Sequence, residues 1–490
     1  MTVKILMVTA EAAPYAKTGG LADAVASLAR ELQRAGDEVR LLLPLYGSVE
    51  EIYRRRMFPL PYPLAIRLGT VHWARVHEHI EPGGLRVYFL EYQRYFGRDR
   101  IYDDGRRAFS DNAERFSLLC RAALDLPGLI QWIPDVFHCH DWMAGLVPVF
   151  LETRDRQGPL WRSASVLTVH NLSHQGYADR SILDFAGLPR SLFRPDQLEA
   201  CGGVNFLKGG LYFANKLTTV SPSYAGEIQA EELGCGLQNV LRFRSGDLMG
   251  ILNGIDGDVW NPATDPLIPH NYSRGQLAGK ALCKKSFYQK YFPAGGDGRP
   301  LFTAIARLCQ QKGLDVLAEI LPRLFATVDI RVALLGSGDR KLEEQLRQLA
   351  RQFPDRLHVT VGYDEAQAHL LEAAGDFFLM PSRFEPCGLN QLYSLRYGTL
   401  PIVRSTGGLR DSVLCYDERT GAGTGFTFHD LTPQSLADAI GWACACYHDR
   451  PRHLRAMVHR AMGQDFSWSR PAARYRDCYR WALESKRGSG

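Results

Sequence analysis

Lysine is scarce in this 490-residue chain: of 58 basic residues, 11 are Lys and 47 are Arg. Where only a positive charge is needed this sequence uses Arg, so a Lys inside a glycine-rich loop stands out. Net charge is small too, +5 from 58 basic and 53 acidic residues. With no basic tail or stripe, nucleic acid is excluded as the main partner. No apolar run approaches the ~18 residues of a membrane helix. The N-terminal run Ile5-Leu6-Met7-Val8, closed by Glu11, is too short for a signal-peptide core. A cytoplasmic protein without membrane association is therefore expected. No C-x-x-C pair occurs; the 11 Cys are odd in number and scattered, with only Cys444-Ala445-Cys446 close together. That excludes a disulfide scaffold and fits a reducing compartment.

What is present is a globular composition, 46% hydrophobic, in a chain long enough for two to three domains. Short apolar, β-branched runs alternate with amphipathic stretches, the pattern of parallel sheets covered by helices. Strands are predicted at Lys4 to Thr9, Glu38 to Leu43, Leu85 to Leu90, Val136 to His140, Ser165 to His170 and Lys216 to Val220. A second set is predicted at Leu301 to Ala306, Arg331 to Leu335, Leu357 to Val361, Phe377 to Met380 and Leu400 to Val403. Two doubly wound sheets follow. Between them, Asn253-Gly254-Ile255-Asp256-Gly257-Asp258 and the prolines after it read as a hinge. Residues 471–484 read as a final helix, and the tail 486–490 as disordered. Lys17-Thr18-Gly19-Gly20-Leu21-Ala22-Asp23 is echoed by Ser405-Thr406-Gly407-Gly408-Leu409-Arg410-Asp411; two related halves would produce this, as would chance similarity of two strand-to-helix turns.

In open parallel sheets, ligands bind at the carboxyl ends of strands. Lys17 to Gly20 lies between the first strand and first helix, where paired glycines let backbone N–H groups approach an anion beside a Lys. Taken alone it is equally a tight turn with a solvated lysine. His138-Cys139-His140-Asp141, His170-Asn171 and Glu385-Pro386-Cys387-Gly388 follow other strands. Alternation puts His138 and His140 on one face, as a metal site would need, but no H-x-H-x-D-H or H-E-x-x-H completes it. Asp256-Gly257-Asp258 has the spacing of a metal-binding D-x-D, in a place where a turn already accounts for it. Arg307 and Lys312 enter a helix at its N-terminus, against the macrodipole, which points to an anion held there. Lys280, Lys284 and Lys285 read as a solvated helix face.

Taken together, these motifs resemble the bacterial glycogen synthase and plant starch synthase family, retaining glucosyltransferases that use a nucleotide-diphosphate glucose. The resemblance is carried by Lys17 to Asp23, His140-Asp141-Trp142, Val169-His170-Asn171-Leu172, Asn205 to Lys208 and Leu252 to Asp256. It continues through Ala306-Arg307-Leu308, Gln311 to Asp315, Pro381 to Leu389, Thr406 to Leu409 and Asp465 to Trp468, in family order across nearly the whole chain. It implies an α/β GT-B fold, two doubly wound Rossmann-like domains facing across a cleft. The acceptor-side domain would span 1–250, with a C-terminal helix at 470–486 packing back on it, and the nucleotide-sugar domain 251–469. The implied donor is ADP-glucose and the acceptor glycogen or another α-1,4-glucan, with no metal or other cofactor. By the same resemblance Lys17, Arg307 and Lys312 contact the donor diphosphate and Tyr363 stacks on adenine. His170, Asn253 and Glu385 surround the transferred glucose, and Asp23 and Asp141 are acids of the cleft. Gly20, Cys387, Gly388, Leu389 and Asn390 complete the donor contacts. The catalytic set would be Glu385, Asp141, His170, Lys312 and Arg307.

Retention is compatible with a covalent glucosyl intermediate or with same-face attack by the acceptor, and both routes stay open. Two positions depart from the family pattern: Asn390 stands where Thr is common, and Met143 where His is common. Competing readings are a UDP-glucose-dependent synthase of the same family, a metal-dependent hydrolase built on His138, His140 and Asp141, and a catalytically idle glucan-binding protein.

Overall fold

The computed structural model describes residues 2–292 and 298–488. The chain divides into two compact units, Met1–Gly254 with Trp468–Gly490, and Ile255–Ser467.

In the first unit the strands are β1 (Lys4–Val8), β2 (Glu38–Pro44), β3 (Phe58–Pro59), β4 (Leu64–Arg67), β5 (Val71–Ile80), β6 (Arg86–Glu91), β7 (Val136–His140), β8 (Ala164–Val169), β9 (Tyr177–Ala178), β10 (Glu199–Ala200), β11 (Gly203–Asn205), β12 (Lys216–Thr219) and β13 (Leu248–Gly250). Among the described residues, ten form one sheet in the order β13-β12-β8-β7-β1-β2-β6-β5-β3, with β4 on β5. From β13 to β6 every pairing is parallel; β5 runs antiparallel to β6, and β3 and β4 antiparallel to β5. Central strands such as β7 and β8 are buried along their whole length, and apart from His138, His140, Ser165 and Thr168 their side chains are apolar. Their side chains join Leu28, Leu32, Phe116 and Leu146 of the covering helices in one core. The final helix, Ser469–Gly488, belongs to this unit and buries Tyr475, Cys478 and Tyr479. It continues past the predicted helix: residues 486–488 are helical, not disordered, and Lys486 pairs with Glu152. Residues 489–490 of the predicted tail lie outside the described residues.

The second unit holds β14 (Leu301–Ile305), β15 (Arg331–Gly336), β16 (Leu357–Val361), β17 (Phe377–Met380), β18 (Leu400–Arg404) and β19 (Phe426–Phe428). They form a parallel sheet in the order β16-β15-β14-β17-β18-β19. Its core joins Phe302, Val332, Phe377 and Ile402 to Leu317, Leu321 and Ile440 of the flanking helices.

Each sheet has one place where the winding reverses. After β1 the chain moves outward through β2 and β6, then returns to β7 on β1's other side; after β14 it moves through β15 and β16, then returns to β17. At such a switch point the loops leaving two adjacent strands diverge and open a crevice at the carboxyl ends.

The lysines of the helix Ala278–Tyr291 are not one solvated face. Lys280 donates to Ala373 O at 3.1 Å and Thr399 Oγ1 at 2.7 Å, and burial pushes its ammonium down to about 8. Lys284 donates to Asp376 Oδ2 at 2.6 Å and to Arg299 O at 2.8 Å. Lys285 alone of the three is exposed. No helix among the described residues is long and apolar enough to cross a membrane.

Candidate active site

The switch point of the first unit is built from the loops after β1 and β7. Glu11 follows β1 and is 3% exposed. Its carboxylate accepts the N–H of Thr18 at 2.6 Å and of Gly19 at 3.3 Å, and the hydroxyls of Thr18 and Tyr102 at 2.7 and 2.6 Å. The N–H of Gly19, one of the paired glycines expected from the sequence to approach an anionic ligand, thus already meets an internal carboxylate, as does that of Thr18. Gly20 opens the helix Gly20–Arg34, and the exposed Lys17 ammonium lies 2.8 Å from Asp23 in its first turn.

Asp141 directly follows β7 with φ +56°, left-handed backbone that a non-glycine residue seldom adopts. Its Oδ1 accepts the N–H of His170 at 2.6 Å and of Asn171 at 3.3 Å, which fixes the carboxyl across the end of β8. Burial pushes its pKa up to about 7, and Glu11's charge adds to the shift. His170 Nε2 lies 3.0 Å from His140 Nδ1, and burial pushes His170 down to about 3, so its ring is neutral. Asn253 follows β13, is buried, and its Oδ1 is without a hydrogen-bond partner.

His138 and His140 share a face, ring centroids 4.1 Å apart. His138 Nε2 contacts Thr168 Oγ1 at 2.6 Å and its Nδ1 contacts the Tyr479 hydroxyl at 2.9 Å, so both ring nitrogens are committed to the fold. Among the described residues no group of three or more His, Cys, Asp or Glu is arranged to hold a metal ion. Asp256 serves the turn, its Oδ1 accepting the N–H of Asp258 at 2.9 Å. Met143 is a buried core residue.

In the second unit, Arg307 and Lys312 follow β14 and the segment Pro381–Asn390 follows β17. Gly313 has φ +67°, and a Cβ there would stand 1.8 Å from Pro381 O, so only glycine lets the Lys312 loop lie against the end of β17. Lys312 Nζ thereby reaches both oxygens of Glu385, at 2.9 and 2.7 Å, and the Ser382 hydroxyl donates to Oε2 at 2.9 Å. Glu385 is buried, while Lys312 keeps 18% of its side chain exposed. The N–H of Gly408 holds the Glu385 carbonyl at 3.0 Å; beside it Gly407, φ +45°, has no room for a Cβ, Glu385 O lying 2.1 Å away. Arg383 and Asp315 form a two-pronged ion pair at 2.8 and 2.7 Å that braces the same two loops.

Asn390 opens the helix Asn390–Tyr397, and its side chain donates to Ile305 O at 2.5 Å, tying the β17 loop to the end of β14. Cys387 is buried, Gly388 has φ +72°, and Leu389 is half-buried. Arg307 is exposed, as is Tyr363 at 70%, two strands away after β16. Lys312, Glu385 and Asn390 are therefore gathered at one switch point, with Tyr363 farther along the same sheet edge. Glu11, Tyr102, Ser382 and the Asp315–Arg383 brace join the predicted residues, and local sequence pattern assigns them no role. An acid directly after the first strand was the one signal for Glu11.

Chemically, the second switch point offers a cation and a buried carboxylate in direct contact, a pairing suited to a reaction in which a phosphate departs as an electron-poor centre forms. The first offers a neutral His, a carboxyl titrating near neutrality and a Lys on a carboxylate-braced loop.

Residues 4–243 match the starch synthase catalytic domain family, and residues 299–445 match glycosyl transferases group 1. Glycogen synthase 1 of Geobacter sulfurreducens is 44% identical over 492 residues, covering 100% of this chain and 98% of that protein. A glycogen synthase of Anaeromyxobacter dehalogenans is 45% identical over 488 residues, 98% of this chain and 99% of the relative. Among solved structures, the catalytic domain of starch synthase IV from Arabidopsis thaliana, bound to ADP and acarbose, aligns with TM-score 0.91 at 34% identity, covering 99% of this chain and 100% of that one. Sucrose-phosphate synthase from Thermosynechococcus elongatus shares the fold, with TM-score 0.62 at 16% identity over 98% and 99% of the two chains.

Proposed function

Because this chain belongs to the glycogen synthase and starch synthase family of glucosyltransferases, we propose that it transfers glucose from ADP-glucose to the non-reducing end of an α-1,4-glucan with retention of configuration. The observation that carries this reading is the Lys312–Glu385 contact at the β14/β17 switch point. ADP is favoured as the nucleotide because the starch synthase that aligns over the whole chain was solved with ADP. The acarbose in the same structure supports a glucan acceptor.

In this reading the bond from glucose C1 to the diphosphate oxygen breaks, with its electron pair leaving on the diphosphate. Arg307, Lys312 and Lys17 stabilise that charge, so a divalent cation is not needed. Glu385 and Asp141 act on the positive character at C1 or orient the sugar hydroxyls, while His170 and Asn253 line the glucose. The acceptor hydroxyl then bonds to C1 and loses its proton. Tyr363 offers an exposed ring to the adenine.

The test is a donor competition with ADP-glucose and UDP-glucose on a glycogen primer, run with and without exhaustive chelation. ADP-glucose preference with full activity after chelation is expected. A clear UDP-glucose preference would overturn the donor, and loss of activity restored by Zn²⁺ would overturn the mechanism. Lys17→Arg is expected to lower kcat/KM for the donor roughly tenfold, the worth of one charged hydrogen bond, because a planar guanidinium does not replace a compact ammonium. Wild-type kinetics in this variant would remove Lys17 from the donor contacts.

A further inference from the structure

Glu11 is a buried acid whose partners are all neutral donors. Its carboxylate collects four of them: two backbone N–H groups, Thr18 and Gly19, and two hydroxyls, Thr18 and Tyr102. Its own backbone is fastened to Thr9, whose hydroxyl donates to Glu11 O at 2.9 Å and accepts from Glu11 N at 3.2 Å. The braced residues are the two immediately after Lys17 and immediately before the helix Gly20–Arg34, whose cap residue Gly19 has no side chain to serve its first turn. A carboxylate at that point also answers the positive end of the helix dipole.

From this we infer that Glu11 is a positioning residue for the transfer reaction: it fixes the Thr18-Gly19 backbone and so holds Lys17 where the ammonium meets the donor diphosphate. The inference rests on the donor role proposed above for Lys17. Asp23 meets the ammonium itself at 2.8 Å; the Glu11 brace holds the backbone from which Lys17 reaches it. A lysine on a freely moving loop pays its ordering cost during each turnover, whereas one on a preorganised loop has paid it on folding.

The experiment is a double-mutant cycle on kcat/KM for ADP-glucose at fixed glycogen, using Glu11→Gln, Lys17→Ala and the pair. Glu11→Gln keeps size and one acceptor oxygen but removes the charge. It is expected to lose roughly tenfold to a hundredfold, the cost of about 1 Å of misplacement, with KM for glycogen unchanged. In the Lys17→Ala background, assayed at about pH 8.5 where Asp141 is ionised with or without the charge of Glu11, the same change is expected to cost almost nothing, because its effect runs through Lys17. Thr18→Val supplies a second arm if Glu11→Gln folds poorly: it removes one hydroxyl donor, and a smaller loss is expected that also vanishes without Lys17. Wild-type kinetics in Glu11→Gln, or losses that add to those of Lys17→Ala, would overturn the inference. Wild-type kinetics in Lys17→Ala would instead overturn the donor role of Lys17, a separate failure read from a different variant.

Discussion

Glu385→Ala is expected to lower kcat by roughly a hundredfold to a thousandfold, the range seen when one preorganised charge is removed from a reacting centre, while KM for the glucan stays near its starting value. The split follows from where Glu385 sits. It lies at the β14/β17 switch point, against the cation proposed to receive the diphosphate, with both oxygens engaged by Lys312 and one by Ser382. A diphosphate arriving at Lys312 competes for the same three N–H donors, and as Lys312 turns to it Glu385 keeps more of its negative charge for the sugar. The substitution also has a stability cost. It leaves Lys312 without its partner in a mostly buried position, and halving such a pair costs about 3 kcal/mol. Glu385→Gln separates the two effects: it keeps the shape and one acceptor, so its thermal midpoint is expected to lie closer to wild type than that of Glu385→Ala while kcat still falls. An unchanged kcat in either variant would remove Glu385 from the reaction.

The strands flanking both switch points were legible because a parallel strand covered on both faces is mostly apolar, as in residues 5–8 of β1 and in β17. The antiparallel edge was not. β5 carries three His, an Arg, a Glu and a Trp; only Ala74, Val76 and His79 are buried, and it registers against partners the run itself does not announce. Polar partners separated in sequence were hidden for the same reason. Lys284 looks solvated until Asp376, 92 residues on, is brought to it, and Glu11 looks like a strand terminator until Tyr102 arrives from 91 residues away. His138 and His140 show the converse: the strand period placed them on one face, but only the fold brought Thr168 and Tyr479 to the His138 ring. Local pattern specifies where a strand ends and therefore where chemistry gathers. Which charges are neutralised there is a property of loops that meet only after folding.

Asp141→Asn is expected to stabilise the protein above neutral pH while lowering its activity, opposite signs that a purely structural residue would not give. The Asp141 carboxyl is 6% exposed, stands on left-handed backbone, and titrates at about 7 because burial and the nearby Glu11 both penalise its charge. An ordinary Asp titrates near 3.9. Between these values the folded chain keeps a proton that the unfolded chain releases, so unfolding free energy falls as pH rises through this window and levels off above it. The shift corresponds to a penalty of about 4 kcal/mol at pH 8, absent below about pH 3. Asn retains an acceptor oxygen for the His170 and Asn171 N–H groups but carries no charge, so this slope is expected to vanish in the variant. Denaturant melts at pH 5 and pH 8 read it directly: the wild type is expected to lose stability between them, and Asp141→Asn to hold level and exceed it at pH 8. Activity responds the other way. If the ionised carboxylate is what supports positive character on the sugar, wild-type kcat/KM rises as pH passes through about 7, and Asp141→Asn lacks that rise and runs well below it. Equal stability of the two proteins at pH 8 would show that burial does not raise the Asp141 carboxyl, and an unchanged pH–rate profile would show that its ionisation does not serve the reaction.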